Sequence, residues 1–126
     1  MRLLLDTHIL LWWLEDGPSL SAMARELIST PENTVFVSAV CCWEIWLKQS
    51  LGKLRIPPDF AQRLAAESFE NLPLTAPHTQ QVAALPWYHR DPFDRMLIAQ
   101  AQVEKLILLT ADEALAEYGA AVCLVR

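Results

Sequence analysis

The stretch Met1-Arg2-Leu3-Leu4-Leu5-Asp6-Thr7-His8-Ile9-Leu10-Leu11-Trp12-Trp13-Leu14-Glu15 decides how the rest of the chain is read. Arg2 to Leu5 has the length and apolarity of a short buried strand, and Asp6 ends it. His8 to Glu15 then continues as a helix. A strand running through a single acid straight into a helix is the opening half of a parallel strand–helix–strand unit.

The same alternation repeats along the chain. Asp16-Gly17-Pro18 separates the first helix from a second, Ser21 to Ser29, because Gly and Pro punctuate regular structure. Thr34 to Val37 reads as a β-branched and aromatic strand. Ser38 is placed to cap a long helix from Ala39 to about Leu51, with Gly52 near its end. In that helix Val40, Trp43, Leu47 and Leu51 form one apolar face. Further helices are expected from Pro58 to about Phe69, and from Thr75 and Pro77 to before Pro86. Leu72-Pro73-Leu74 suits a short edge strand between them. Asp91 caps, and Pro92 opens, a helix reaching about Val103. Leu106 to Leu109 is the cleanest strand. Asp112 caps a last short helix closed by Gly119, and Ala121 to Val125 is the final strand. The expected fold is α/β: a single three-layer α/β/α domain over residues 1–126 around a small, mainly parallel sheet.

Composition narrows the function classes. Hydrophobic residues make up 53% and charged residues 20% of 126 positions, which excludes a disordered polar chain. No apolar run approaches the ~18–20 residues of a membrane span. A signal-peptide core is also missing, so a cytoplasmic protein is expected. Cys41, Cys42 and Cys123 form no disulfide framework and no C-x-x-C knuckle. The net charge of −5 argues against a basic nucleic-acid reader.

The acids point the other way. Ligands bind outside the carboxyl ends of strands in open parallel sheets. Asp6 follows the first strand, and Glu44 lies in the helix after the second. Asp94 lies in the first turn of the Pro92 helix, and Asp112 follows the Leu109 strand. Four carboxylates from four segments can converge there, and crowded carboxylates repel unless a cation joins them. Oxygen-only donors favour Mg²⁺ or Mn²⁺ over Zn²⁺, and such ions serve phosphodiester hydrolysis. Each acid also has a structural reading: Asp6 and Asp112 as helix caps, Glu44 as an i,i+4 partner of Lys48, and Asp94 at a helix dipole. His8, His78 and His89 show no zinc-site spacing and are read as surface or capping residues.

At these residues the chain resembles PIN-domain proteins, specifically VapC-like toxins of type II toxin–antitoxin systems. The resemblance is carried by Leu5-Asp6-Thr7-His8, by Val37-Ser38-Ala39 with Trp43-Glu44-Ile45, and by Lys48 to Leu54. His89-Arg90-Asp91-Pro92-Phe93-Asp94-Arg95-Met96 and Leu109-Thr110-Ala111-Asp112 complete it. The resemblance implies a metal-dependent endoribonuclease. Asp6 and Asp94 would be the direct metal ligands, Glu44 and Asp112 would complete the pocket, and Thr7 and Thr110 would support it. Lys48, Lys53, Arg55, Arg90 and Arg95 are candidate RNA contacts. Asp91 reads better as a cap. Ala111 stands where many relatives place a basic residue, which removes one phosphate contact. The resemblance further implies a homodimer and a cognate antitoxin. Trp43 is expected in the core, and Trp46 with one of Trp12 or Trp13 at an interface. The competing readings are a catalytically weak antitoxin-binding regulatory module and a phosphatase on another α/β fold. The phosphatase lacks its Asp-x-Asp start, because Thr7-His8 follows Asp6.

Overall fold

The computed structural model describes residues 1–126. Five strands form one sheet: β1 (Arg2–Leu5), β2 (Thr34–Ser38), β3 (Glu70–Leu72), β4 (Ile107–Thr110) and β5 (Val122–Leu124). Their spatial order is β3-β2-β1-β4-β5, and every pairing is parallel. The chain therefore starts in the middle of the sheet, winds out to one edge, returns beside β1 and winds out to the other. The crossovers contain α1 (Thr7–Glu15), α2 (Ala22–Ser29), α3 (Ala39–Ser50), α4 (Phe60–Ala66), α5 (Ala76–Val82) and α6 (Pro92–Glu104). A 3₁₀ segment, Glu113–Ala121, leads into β5.

Leu3, Leu4 and Leu5 are all fully buried, although successive strand residues point to opposite faces. The central strand is thus covered on both sides, which explains why its sequence is a continuous apolar run rather than an alternating one. The sheet is wholly parallel. Its edge strands are only three residues long, which limits edge-to-edge pairing.

Local chemistry sets the helix boundaries. Ser21, Ser38 and Asp91 cap α2, α3 and α6, their side chains accepting from Ala24, Val40 and Phe93 N–H groups at 2.8–3.1 Å. At Gly119, with φ of 89°, the backbone turns where a side chain would be strained, and the 3₁₀ segment gives way to β5.

Several expectations shift. The edge strand forms at Glu70–Leu72, ahead of Pro73, which has no N–H to donate to a ladder. The helix expected from Pro58 is confined to Phe60–Ala66. In α3 the buried side is Val40, Cys41, Glu44 and Ile45. Trp43, placed in the core from its spacing, is instead 59% exposed, with Leu47 and Leu51 exposed beside it. The inward face of α3 carries Glu44 instead.

Candidate active site

The order β3-β2-β1-β4-β5 reverses direction between β1 and β4, and the carboxyl ends of these two strands flank the crevice where ligands bind in open α/β sheets. The register pairs Leu5 with Leu109, so Asp6 emerges beside Thr110. The Asp6 backbone N–H donates to the Leu109 carbonyl at 3.1 Å. Thr110 Oγ1 donates to Asp6 Oδ2, and Asp6 Oδ1 accepts from the Ile9 N–H at 2.8 Å. Asp6 is thus both the cap of α1 and a pocket carboxylate.

Thr7, the first residue of α1, donates through Oγ1 to Glu44 Oε1 at 2.6 Å, while Lys48 pairs with Glu44 Oε2. Glu44 is only 4% exposed, so both of its oxygens are engaged as a buried carboxylate requires. Thr110 Oγ1 also accepts from the Asp112 N–H at 3.1 Å, and Asp112 caps the 3₁₀ segment through Ala114. Thr7 and Thr110 therefore hold three of the four acids in place. Asp6 and Asp112 border a cleft of about 290 Å³ with His8, Trp12 and Ala111.

Asp94 stands apart. Asp91 Oδ1 accepts from both the Phe93 and Asp94 N–H groups, so Asp91 is the cap of α6 as expected. The Asp94 carboxylate accepts no such bond. Burial pushes it up to about 7, reinforced by the charges of Asp91, Asp6, Glu44 and Asp112. The Asp94 carboxylate thus feels the charge of each of the other three sequence-derived acids. Asp6 is raised as well, chiefly by burial, against the lowering effect of its bonds from Thr110 and Ile9. Lys48 is raised by its bond to Glu44 and by the nearby Asp91 and Asp94. The arrangement concentrates negative charge that its one paired lysine does not neutralise. A hard divalent cation suits this oxygen-rich set, with Asp94 offering oxygens that no protein donor occupies.

The basic residues divide. Lys53, Arg55 and Arg90 are exposed, whereas Lys48 belongs to the pocket. Arg95 does not reach solvent, contrary to the expectation that it contacts RNA: it is 3% exposed. Its guanidinium donates to the Pro86 and Val82 carbonyls at 2.9 and 3.2 Å and to Tyr118 Oη at 3.2 Å. It also lies 3.7 Å from the centre of the Trp87 ring. A planar cation with five donors is suited to tying a loop down in this way.

That loop delivers a residue the sequence reading undervalued. His89 Nε2 lies 3.3 Å from Asp112 Oδ2 and 3.7 Å from Asp94 Oδ2, inside the acidic pocket. Its sequence signal was its place at the head of the stretch His89 to Met96, next to the Asp91-Pro92 cap. His78, read as a surface or capping group, is buried and accepts from the Thr75 N–H at 3.0 Å, while His8 is exposed.

A search of curated protein sequences finds no significant match. Solved structures match in fold across nearly the full chain. VapBC2 of Rickettsia felis, bound to a promoter DNA fragment, aligns with a TM-score of 0.72 at 17% identity, covering 98% of this chain and 97% of that one. A toxin–antitoxin complex of Klebsiella pneumoniae aligns at 0.67 and 20%, again covering 98% and 97%. FitAcB of Neisseria gonorrhoeae aligns at 0.68 and 20%, covering 95% of each chain. A family model for the PIN domain matches residues 3–121, from β1 through the 3₁₀ segment that follows Asp112. On that match over residues 3–121, this chain belongs to the PIN domain family, whose members are generally nucleases.

Proposed function

We propose that this chain is a metal-dependent endoribonuclease and the toxin of a toxin–antitoxin pair, acting in the cytoplasm as a homodimer. The observation that carries the reading is Asp94. It is a half-buried carboxylate with no hydrogen-bond donor, surrounded by Asp6, Glu44 and Asp112 at the switch point of a PIN sheet. A pure binding module has no use for such a concentration of unrelieved charge.

Asp6, Asp94, Glu44 and Asp112 would hold Mg²⁺ or Mn²⁺. When bound, such an ion supplies water activation and charge stabilisation at the scissile phosphate. The chain's own residues do the rest. Thr110 and the Ile9 N–H orient Asp6, and Thr7 and Lys48 orient Glu44. The exposed Lys53, Arg55 and Arg90 are available to the RNA backbone. Four of the 15 acids belong to the pocket, so the remaining 11 nearly balance the 10 bases. RNA attraction then depends on metal and a few local cations, with a shallow salt dependence.

The exposed Trp43, Trp46 and Leu47 of α3, with Leu51 just after it, support a protein partner, because aromatic anchors concentrate binding energy at interfaces. The folds of toxin–antitoxin complexes matched above support an antitoxin as one such partner. The test is cleavage of single-stranded and structured RNA titrated with Mg²⁺ or Mn²⁺. Asp6→Asn and Asp94→Asn are expected to abolish cleavage and to keep the fold by circular dichroism. Full activity in both variants overturns the assignment. Sedimentation at high concentration tests the dimer, and co-purification with the product of the adjacent gene tests the antitoxin.

A further inference from the structure

Thr7, Thr110 and Lys48 already donate to pocket carboxylates, whereas the ring of His89 enters the pocket with one nitrogen uncommitted. Ligand atoms of His89, Asp94 and Asp112 lie within 4.8 Å of one another, a spacing that one cation can bridge. Hydrogen bonding argues against ligation by His89. The Asp91 N–H donates to His89 Nδ1 at 3.1 Å. A ring nitrogen that accepts carries no proton, so the proton of the neutral imidazole is on Nε2. A lone pair at Nε2 would require a proton on Nδ1, setting two N–H groups head to head.

The Nε2–H straddles Asp112 and Asp94 at 3.3 and 3.7 Å and completes a hydrogen bond with neither. Its position is held from behind. The His89 N–H donates to Tyr118 Oη at 3.2 Å, Tyr118 Oη donates to the Pro86 carbonyl at 2.7 Å, and Arg95 binds both Pro86 and Tyr118. A donor fixed in advance at a site of anion chemistry stabilises charge without reorganisation.

We propose that His89 is the hydrogen-bond donor this pocket presents to a phosphate oxygen of the RNA, and that it is not a metal ligand. The inference rests on the nuclease reading and deepens it. Binding rather than turnover provides the test. Mn²⁺ alone is titrated by its paramagnetic resonance signal, and pooled single-stranded RNA by fluorescence anisotropy in Ca²⁺ buffer. The variants are His89→Ala and His89→Gln, the second of which keeps an N–H at similar reach.

Mn²⁺ affinity is expected to stay within about twofold of wild type in both, since a donor contributes no metal bond. RNA affinity is expected to fall about tenfold in His89→Ala, as for one hydrogen bond to a charged group, and to return largely in His89→Gln. A tenfold loss of Mn²⁺ affinity in His89→Ala makes it a ligand and overturns the proposal. Unchanged RNA affinity in His89→Ala, or equal losses in both variants, overturns it as well. A wild-type protein that binds no Mn²⁺ overturns the nuclease reading itself, and this inference with it.

Discussion

Asp94→Asn should make the cation-free protein more stable at neutral and alkaline pH. The first turn of α6 favours a negative charge by about 0.3–1 kcal/mol. Burial and four neighbouring carboxylates oppose that and win, moving the group from 3.8 to about 7. The native state therefore holds the Asp94 proton more tightly than the unfolded chain does. Stability from this group is complete below about pH 4, declines as pH rises, and is gone once pH passes about 7.

At about 1.4 kcal/mol per tenfold change in proton affinity, the full effect is somewhat over 4 kcal/mol, and relaxation around the pocket reduces it to roughly 2–4 kcal/mol. Asparagine keeps the shape and removes the charge. Urea denaturation in a chelator at about pH 5 and about pH 8 measures the difference between variant and wild type. The variant's advantage should be roughly a third of its maximum at the lower pH and near its maximum at the higher. Asp6 is raised in the same direction, so wild type also loses stability through Asp6, and subtracting the two curves leaves Asp94 together with its coupling to Asp6. Mg²⁺ should restore stability to wild type more than to the variant. An advantage of the same size at both pH values, or none at about pH 8, refutes the electrostatic account of this pocket.

Other residues give sharp expectations. Thr110→Val removes the hydroxyl shared by Asp6 and the Asp112 N–H, and should cost about 1–3 kcal/mol and weaken Mn²⁺ binding; a silent variant would show that hydroxyl to be dispensable. Arg95→Lys cannot reproduce the fork that joins Val82, Pro86 and Tyr118, and a loss of about 3 kcal/mol or more is expected in thermal or urea unfolding. Wild-type stability in that variant would return Arg95 to the list of surface cations. Trp43→Ser should change monomer stability by no more than about 0.5–1 kcal/mol, because the ring is mostly exposed and meets Phe93 edge-on. A larger loss would place Trp43 in the core after all.

Much was legible from the chain alone, because strong local signals agreed with the global fold. A fully buried strand reads as a continuous apolar run, so Arg2 to Leu5 and Leu106 to Leu109 were readable as strands, and they form as Arg2–Leu5 and Ile107–Thr110. Caps such as Ser38 and Asp91 satisfy backbone groups within a few residues of themselves, so helix starts were readable to within a residue or two. The acids were findable because strand ends are where parallel sheets bind ligands. Less was legible wherever one residue serves two partners. Asp6 had to be weighed as cap or pocket acid, and in the folded protein it is both.

The tertiary structure decided what depends on contacts far apart in sequence. Whether Trp43 faced the core depended on how α3 is rotated, and spacing alone leaves that angle open when apolar residues surround a helix. Arg95 looked like a surface cation because nothing local shows that carbonyls from Val82 to His89 will close around it. His89 carried no metal or catalytic spacing of its own. Its role came from a loop tied to Tyr118, a residue 29 positions away. Sequence by itself determined the sheet and singled out four acids as candidates for one site, since both readings rest on short-range pattern. Only the folded chain decided how they are charged and which donor faces them, because burial and Coulomb interaction exist only once distant segments meet.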